Sequence, residues 1–138
     1  MINDGITSVG NYAFAVCTNL ASVTISKGVT SIENYAFTNW TNLTSVVIPE
    51  GVTSIGLYAF GCYDKLTSIT LPNNVIYICD MAFVICASLK CINIPNKVTS
   101  IGDYTFTDYR KLTSVTIPKG VTFIRKGAFS NCKKISFY

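Results

Sequence analysis

Apolar residues recur along the chain with a period of 23 residues, without insertion or deletion. Between Val98 and Gly120 they occupy the first, fourth, ninth, fifteenth, eighteenth and twentieth positions, and the ninth position is phenylalanine in every copy. One copy cannot enclose a core around so few side chains, so the copies are expected to stack on one another. The copies begin at Ile6, Val29, Val52, Val75, Val98 and Val121.

The last third of each copy carries a β-strand signal, which is clearest at Leu112–Pro118. This segment is rich in β-branched residues and alternates with period two, so Val115 and Ile117 are expected to point inward. Ser114 and Thr116 are expected to point outward, and the proline ends the strand. The Thr-Ser-Ile segment that opens each copy predicts a second, shorter extended segment. The Tyr-Ala-Phe segment between them predicts a helical or 3₁₀ turn.

Stacking these copies predicts a single solenoid domain over residues 1–138, with six coils whose strands lie parallel, roughly 4.8 Å apart. The sheet is expected on one face, with short turns or 3₁₀ helices opposite it. The sixth copy stops at Tyr138, five residues short, and residues 1–5 supply the missing part in the correct register. The fourth copy, residues 75–97, departs most from the others, and we expect the repeated core to tolerate these local changes.

The spacing Leu-x-x-Val-x-Ile-Pro-x-Gly-Val-x-x-Ile-Gly-x-x-Ala-Phe resembles the BspA-like, or Treponema-type, class of leucine-rich repeats. It is best seen from Leu43 to Cys62 and from Leu20 to Trp40, and similar copies cover the whole chain. The resemblance implies a β-rich α/β solenoid of the leucine-rich-repeat type. Members of the class are typically surface or secreted proteins of bacteria and some protists, implicated in adhesion and protein binding, and are not generally enzymes. The resemblance therefore implies an extracellular or cell-surface location.

Composition and charge indicate whether the chain has a membrane or nucleic-acid partner. Hydrophobic residues make up 49% of the chain and charged residues 13%, yet no apolar run approaches the roughly 18 residues of a membrane-spanning helix. We therefore expect no membrane span. The net charge is +4, but the only adjacent basic pairs are Arg110–Lys111 and Lys133–Lys134, so no nucleic-acid partner is expected. Met1–Gly5 lacks the basic and apolar regions of a signal peptide.

Catalytic and metal-binding residues are scarce. The chain has no histidine, so neither a Ser-His nor a Cys-His pair can form. The seven acidic residues never form a close pair on a strand, and no glycine-rich phosphate loop is present. The cysteine spacing does not match a zinc site. We therefore expect no enzymatic activity, no cofactor and no metal.

Three of the six cysteines share one column of the repeat with aromatic residues. A column shared with aromatic side chains predicts buried packing positions rather than a disulfide framework. Cys62 and Cys86 lie in neighbouring columns of adjacent copies, and whether this pair forms a disulfide stays open. The shared column contains Cys17, Trp40, Tyr63, Cys86, Tyr109 and Cys132.

The outward side chains of the predicted long strands form a candidate binding face. They are small, mostly hydroxylated and uncharged, which suits either a plain exposed sheet or a shallow surface for a protein or glycan ligand. Trp, Tyr and Arg, which dominate many interfaces, are missing from this row. A column of tyrosines near each phenylalanine is interpreted as half-buried packing rather than a ligand ladder. The candidate face consists of Ser22, Thr24, Ser45, Val47, Ser68, Thr70, Asn93, Ser114 and Thr116, with Cys91 in the same row.

The two ends of the chain form the second candidate site. Neither end carries the polar cap of an isolated solenoid, and two partial strands from two chains would complete one copy. Such a head-to-tail contact generates a filament when it does not close. The candidate self-assembly residues are Met1, Ile2, Ile135, Phe137 and Tyr138.

The functional hypothesis is thus a non-enzymatic surface or extracellular repeat protein that acts by adhesion or protein binding. Its partners would be a host or surface protein, a glycan, or further copies of the chain stacked head to tail. The alternative is a ligand-recognition module excised from a larger receptor-like surface protein.

Overall fold

Short parallel strands follow one another along the chain at regular intervals and form a parallel β-solenoid with coils of about 23 residues. The structure is a computed structural model and describes residues 3–132 and 136–137. The strands are β1 (Ser8–Val9), β2 (Ser31–Ile32), β3 (Ser45–Val47), β4 (Ser54–Ile55), β5 (Ser68–Thr70), β6 (Tyr77–Ile78), β7 (Cys91–Asn93), β8 (Ser100–Ile101), β9 (Ser114–Thr116), β10 (Phe123–Ile124) and β11 (Ser136–Phe137).

The strands form two rows. The Thr-Ser-Ile segments give the short-strand row, β1, β2, β4, β6, β8 and β10, and the segments before the prolines give the long-strand row, β3, β5, β7, β9 and β11. Every pairing is parallel, and the pairings from β1 to β10 join residues 23 positions apart, as Ser8 pairs with Ser31, and Ser45 pairs with Ser68. The pairing of β11 with β9 is shifted by one residue, since Ser136 pairs with Ser114, 22 positions earlier. The solenoid fold and its parallel sheet are confirmed.

Strand pairing is interrupted on both sides of the divergent fourth copy. In the described part of the chain, β6 and β8 belong to different hydrogen-bonded sheets, and so do β5 and β7. In regular copies a threonine before the strand donates its hydroxyl to the preceding coil, as Thr53 does to the Thr30 carbonyl at 3.3 Å. Lys90, before β7, stands in a threonine column and has no such hydroxyl to donate toward the third copy. Ile76 also lacks the hydroxyl, yet β6 still pairs with β4, so this replacement does not explain the interruption between β6 and β8. The core of this copy nevertheless stays closed, since Phe83 and Leu89 are buried.

The repeated apolar columns form one continuous core. Its central feature is the phenylalanine column, whose neighbouring rings lie 5.4–5.8 Å apart and within 17° of parallel. Such offset stacks are favourable beyond the burial of apolar area alone. Tyr63 and Trp40 pack beside the stack. The fully buried phenylalanines are Phe37, Phe60, Phe83 and Phe106.

Of the two predicted alternatives, short turns or 3₁₀ helices, hydrogen-bonded turns follow the short strands in the described residues. Two residues in each copy adopt φ between 53° and 66°, in the left-handed region, which a continuous right-handed helix excludes. The first is the tyrosine-column residue, such as Tyr12, and the second lies four residues later, such as Val16. The conformation costs a non-glycine residue about 1–2 kcal/mol.

Inter-coil hydrogen bonds offset the cost of these left-handed residues. The backbone N–H groups of Tyr12, Phe14 and Val16 donate to carbonyls of the next coil at 3.1, 2.9 and 2.9 Å. On the strand side the direction is reversed, and the Thr30 N–H donates to the Thr7 carbonyl of the preceding coil at 2.8 Å. Backbone hydrogen bonds thus join neighbouring coils on both sides of the core.

Candidate ligand-binding face

The predicted binding-face residues lie on the outward side of the long-strand row. Strands β3, β5, β7 and β9 carry Ser45, Val47, Ser68, Thr70, Cys91, Asn93, Ser114 and Thr116. All are exposed except Ser114, which is half-buried. The in-register pairing of β3 with β5 and of β7 with β9 brings equivalent side chains next to each other.

The first copy departs from this regular row. Ser22 and Thr24 are exposed but belong to no strand, and a single bridge from Thr24 to Val47 joins them to the sheet. Ser26 stands where four later copies have proline, and its hydroxyl donates to the Asp4 carboxylate at 3.0 Å. Within the described residues, β3 therefore pairs with β5 on one side, and on the other side has only the single bridge to the first copy.

A cleft of about 700 Å³ lies between the first copy and β3. Five residues of the predicted face line it, and Val47, which is 71% exposed, supplies apolar surface beside several hydroxyl groups. Lys27 and Glu50 add one positive and one negative charge to the lining. Concave sites that combine apolar walls with a few polar groups are typical of ligand sites. The five predicted residues are Ser22, Thr24, Ser45, Val47 and Thr70.

Sequence reasoning missed Lys27, Glu50 and Pro49 as parts of this cleft. They follow the long-strand positions of the first and second copies, a part of the repeat that the pattern assigns only to chain reversal. The one available signal was Ser26, because a copy without the strand-ending proline need not follow the path of the others.

The column shared by cysteine, tyrosine and tryptophan has a second role besides packing. Each side chain from Trp40 onward donates a hydrogen bond to the phenylalanine carbonyl of the preceding coil, 26 residues earlier. The Tyr109 hydroxyl reaches the Phe83 carbonyl at 2.7 Å, and the Cys86 thiol reaches the Phe60 carbonyl at 3.5 Å. Trp, Tyr and Cys share an apolar body and one donor, so the column selects for that combination.

Burial keeps these donors protonated. It raises the pKa of the Cys86 thiol to about 12 and raises the pKa of the Tyr63 and Tyr109 phenols well above 10. A thiol is nucleophilic only as the thiolate, so Cys86 is a hydrogen-bond donor rather than a reactive group. All six cysteines are free thiols, and Cys62 and Cys86 are therefore not joined.

The tyrosine column forms a stack. The rings of Tyr12 and Tyr35 lie 4.8 Å apart, and those of Tyr35 and Tyr58 lie 5.3 Å apart, both nearly parallel. Because the rings cover one another's faces, the stack agrees with its interpretation as packing. Tyr12 is 60% exposed, whereas Tyr35 and Tyr58 are half-buried.

The predicted self-assembly residues are mostly outside the described part of the chain, namely Met1, Ile2, Ile135 and Tyr138. The fifth, Phe137, lies on β11, where its backbone pairs with Val115. Over residues 3–132 and 136–137, no group of three or more His, Cys, Asp or Glu side chains could hold a metal ion. In the same part of the chain, no helix is long and apolar enough to cross a bilayer.

The 23-residue coil is shared with known repeat proteins. The family described as BspA type leucine rich repeat region matches residues 2–136 in six copies. The chain belongs to this family. The resemblance drawn from the spacing of its leucine, proline and phenylalanine residues is thereby confirmed.

Solved structures of bacterial proteins, several of them leucine-rich repeat proteins, have similar coils. A leucine rich cell surface protein from Faecalibacterium prausnitzii matches with a TM-score of 0.80 and 36% identity, over 85% of this chain and 31% of that protein. The T. pallidum leucine-rich repeat protein matches with a TM-score of 0.79 and 26% identity, over 88% and 69% of the two chains. The pneumococcal vaccine antigen PcpA matches with a TM-score of 0.69 and 25% identity, over 82% and 31%.

This BspA-type chain is thus a repeat module similar to those of bacterial surface proteins. It spans less than one third of the F. prausnitzii protein and of the pneumococcal antigen. No curated protein sequence matches it.

Proposed function

We propose that this BspA-type chain is a non-enzymatic binding module that acts outside the cell or at a cell surface, by adhesion to a partner protein through the cleft around Val47. The observation that carries the proposal is the cleft of about 700 Å³ on the long-strand row, which presents exposed apolar surface among hydroxyl groups. Similarity to a leucine rich cell surface protein supports the location.

The chemistry of the cleft favours a protein segment as the ligand. An apolar side chain of the partner would cover Val47 and remove its exposed surface from water. The hydroxyls of Thr24, Ser45 and Thr70 would pair with backbone groups of the same segment, and Lys27 and Glu50 would orient it. A glycan would also pair with the hydroxyls but would gain little from the aliphatic surface. A recognition module within a larger surface protein would use the same cleft.

Adding a charge at the cleft should weaken adhesion. We expect Val47→Lys to reduce the binding of chain-coated beads to immobilised extracellular proteins about tenfold, because a lysine ammonium would occupy the apolar contact. Asn19→Lys is the matched control, since Asn19 is exposed and its column already contains Lys65 and Lys111. Unchanged binding by Val47→Lys would contradict the proposal. Loss of binding after periodate treatment of the surface, but not after trypsin, would indicate a glycan receptor instead.

The charge distribution favours a second candidate, head-to-tail self-association into a filament. Residues 1–80 carry two basic and five acidic residues, a net charge of −3, whereas residues 81–138 carry nine and two, a net charge of +7. Exposed apolar side chains lie in the first coil, including Val16 and Leu20, and in the sixth coil at Ile124. Oppositely charged halves would orient two copies so that these surfaces meet. The residues nearest the chain ends, Met1, Ile2, Ile135, Phe137 and Tyr138, would belong to the same contact.

Sedimentation velocity tests this association. We expect species larger than the 15.0 kDa chain at low salt and their dissociation near 1 M salt, where charges are screened beyond about 3 Å. Leu20→Asp should abolish assembly by charging the apolar contact. Asn19→Asp, which adds the same charge at an exposed neighbour, should leave it intact. A chain that stays monomeric at low salt and high concentration would exclude the filament.

A further inference from the structure

One column on the outward side of the short-strand row contains two exposed aromatic residues. Tyr77 on β6 is 68% exposed and Phe123 on β10 is 59% exposed, and both leave apolar surface in contact with water. The fold does not require an aromatic residue here, because the other four copies have serine. The column contains Ser8, Ser31, Ser54, Tyr77, Ser100 and Phe123.

An arginine completes the aromatic pair. The Arg125 guanidinium lies 5.7 Å from the centre of the Phe123 ring, within the range of a cation–π contact. Glycine occupies the same column in three other copies, so the coil does not require a long side chain at this position either. Tyrosine and arginine are enriched among residues that dominate binding energy. The binding face on the long-strand row contains neither.

The spacing of the two rings indicates the conformation of a partner. Tyr77 and Phe123 stand two coils apart in one column, with the small Ser100 between them. Because β6 and β8 are not hydrogen-bonded to each other, the coil spacing is taken from the phenylalanine stack, whose rings in the same three coils lie 5.8 and 5.5 Å apart. The two positions are therefore about 11 Å apart. A polyproline II segment has three residues per turn and rises about 3.1 Å per residue, so side chains three positions apart project from one side about 9 Å apart. Such a segment could contact both rings with Ser100 beneath it.

The charges around the patch favour an acidic segment. Lys97 and Lys119 lie in the turns that lead into β8 and β10, and Arg125 and Lys126 follow β10; all four are exposed. The nearby acids are Asp80 and Asp103. The Asp80 carboxylate accepts the backbone N–H of Asp103 at 2.8 Å and so belongs to the inter-coil bonding. Basic residues therefore outnumber acidic ones at this surface, as they do throughout residues 81–138.

We propose that Tyr77, Phe123 and Arg125 form a docking site for an acidic polyproline II segment of a partner protein. The two rings take the prolines on one side of the segment, and Arg125 pairs with a carboxylate between them. The site lies on the short-strand row and shares no residue with the cleft around Val47. It is therefore an additional surface.

A fluorescently labelled peptide of four Pro-Pro-Glu triplets tests the proposal by fluorescence polarisation with the full chain. We expect saturable binding, and binding at least about tenfold weaker for the Pro-Pro-Lys and Gly-Ser-Glu peptides of equal length. Tyr77→Ser and Phe123→Ser should each weaken the binding of Pro-Pro-Glu about tenfold. Both variants carry the residue found in the other copies, and circular dichroism will verify that they fold. Asn19→Ser is the control and should bind the peptide as the unmodified chain does, because Asn19 is exposed, lies outside both surfaces and shares its column with Ser88.

Several results would overturn the proposal. Absence of saturable binding would reject the acidic partner, and equal affinity for Gly-Ser-Glu would reject the polyproline II conformation. Full affinity in the Tyr77→Ser/Phe123→Ser double variant would place the site elsewhere. If heparin binds in a Tyr77- and Phe123-dependent manner while the peptide does not, the surface recognises an anionic glycan rather than a protein.

Discussion

Phe60→Ala is expected to lower the free energy of unfolding by about 3–5 kcal/mol, the usual cost of removing a buried aromatic side chain. Phe60 is fully buried and stacks on Phe37 at 5.4 Å and on Phe83 at 5.5 Å, so its loss leaves a cavity between three coils. Neighbouring coils supply most of the contacts of each coil. The change should therefore also weaken the coupling between the two halves and broaden the urea transition.

Urea denaturation followed by circular dichroism measures this effect. Phe14→Ala is the control, because Phe14 is only partly buried and, among the described residues, stacks only on the ring of Phe37. Its loss should be clearly smaller. Equal losses in the two variants would show that the phenylalanine stack does not couple the coils.

The second large effect is expected for Tyr109→Phe, which should lower the free energy of unfolding by about 1–3 kcal/mol. The change keeps the ring and removes only the hydroxyl that donates to the Phe83 carbonyl at 2.7 Å. Within the described residues no backbone N–H donates to that carbonyl, so it would be buried without a partner. A buried acceptor without a donor costs more than a hydrogen bond contributes on average.

Tyr12→Phe is the matched control for this prediction. It removes the same hydroxyl from a tyrosine that is 60% exposed, where water replaces any lost contact, and the expected change is within about 0.5 kcal/mol. Thermal or urea unfolding of both variants provides the comparison. If Tyr109→Phe is as stable as the unmodified chain, the donor column acts only by packing.

Much of the fold follows from the repeat pattern. The strands up to β10 pair like columns 23 residues apart, so the period alone predicts parallel strands in register, as Ser45 and Ser68 are. It does not predict the shift of one residue between β11 and β9. The phenylalanine column was assigned correctly to the core because its residues cannot be exposed in every copy at acceptable cost. The fourth copy shows the limit of this reasoning. Its apolar columns predicted a closed core, but not the interrupted strand pairing beside Ile76 and Lys90.

The candidate face was predictable in part. Alternation along the long strands correctly assigned the outward side to Ser45, Val47 and Thr70. The cleft was not predictable, because it depends on Ser22 and Thr24 failing to form a strand in the first copy. Whether a segment with a strand-like pattern pairs depends on the neighbouring coil and on contacts such as that of Ser26 with Asp4.

The sequence by itself determined the period, the parallel stacking and the family, because these depend on the spacing of apolar side chains. Only the tertiary structure decided the turns and the donor column. Val16 and Ile85 adopt a left-handed conformation, which β-branched residues disfavour. Asparagine and aspartate residues in the same column adopt the same conformation. Local preference is overridden there by hydrogen bonds to carbonyls 22 residues away, such as that from Val16 to Thr38. Those bonds exist only once the coils are stacked, so no single copy of the repeat contains the information that sets them.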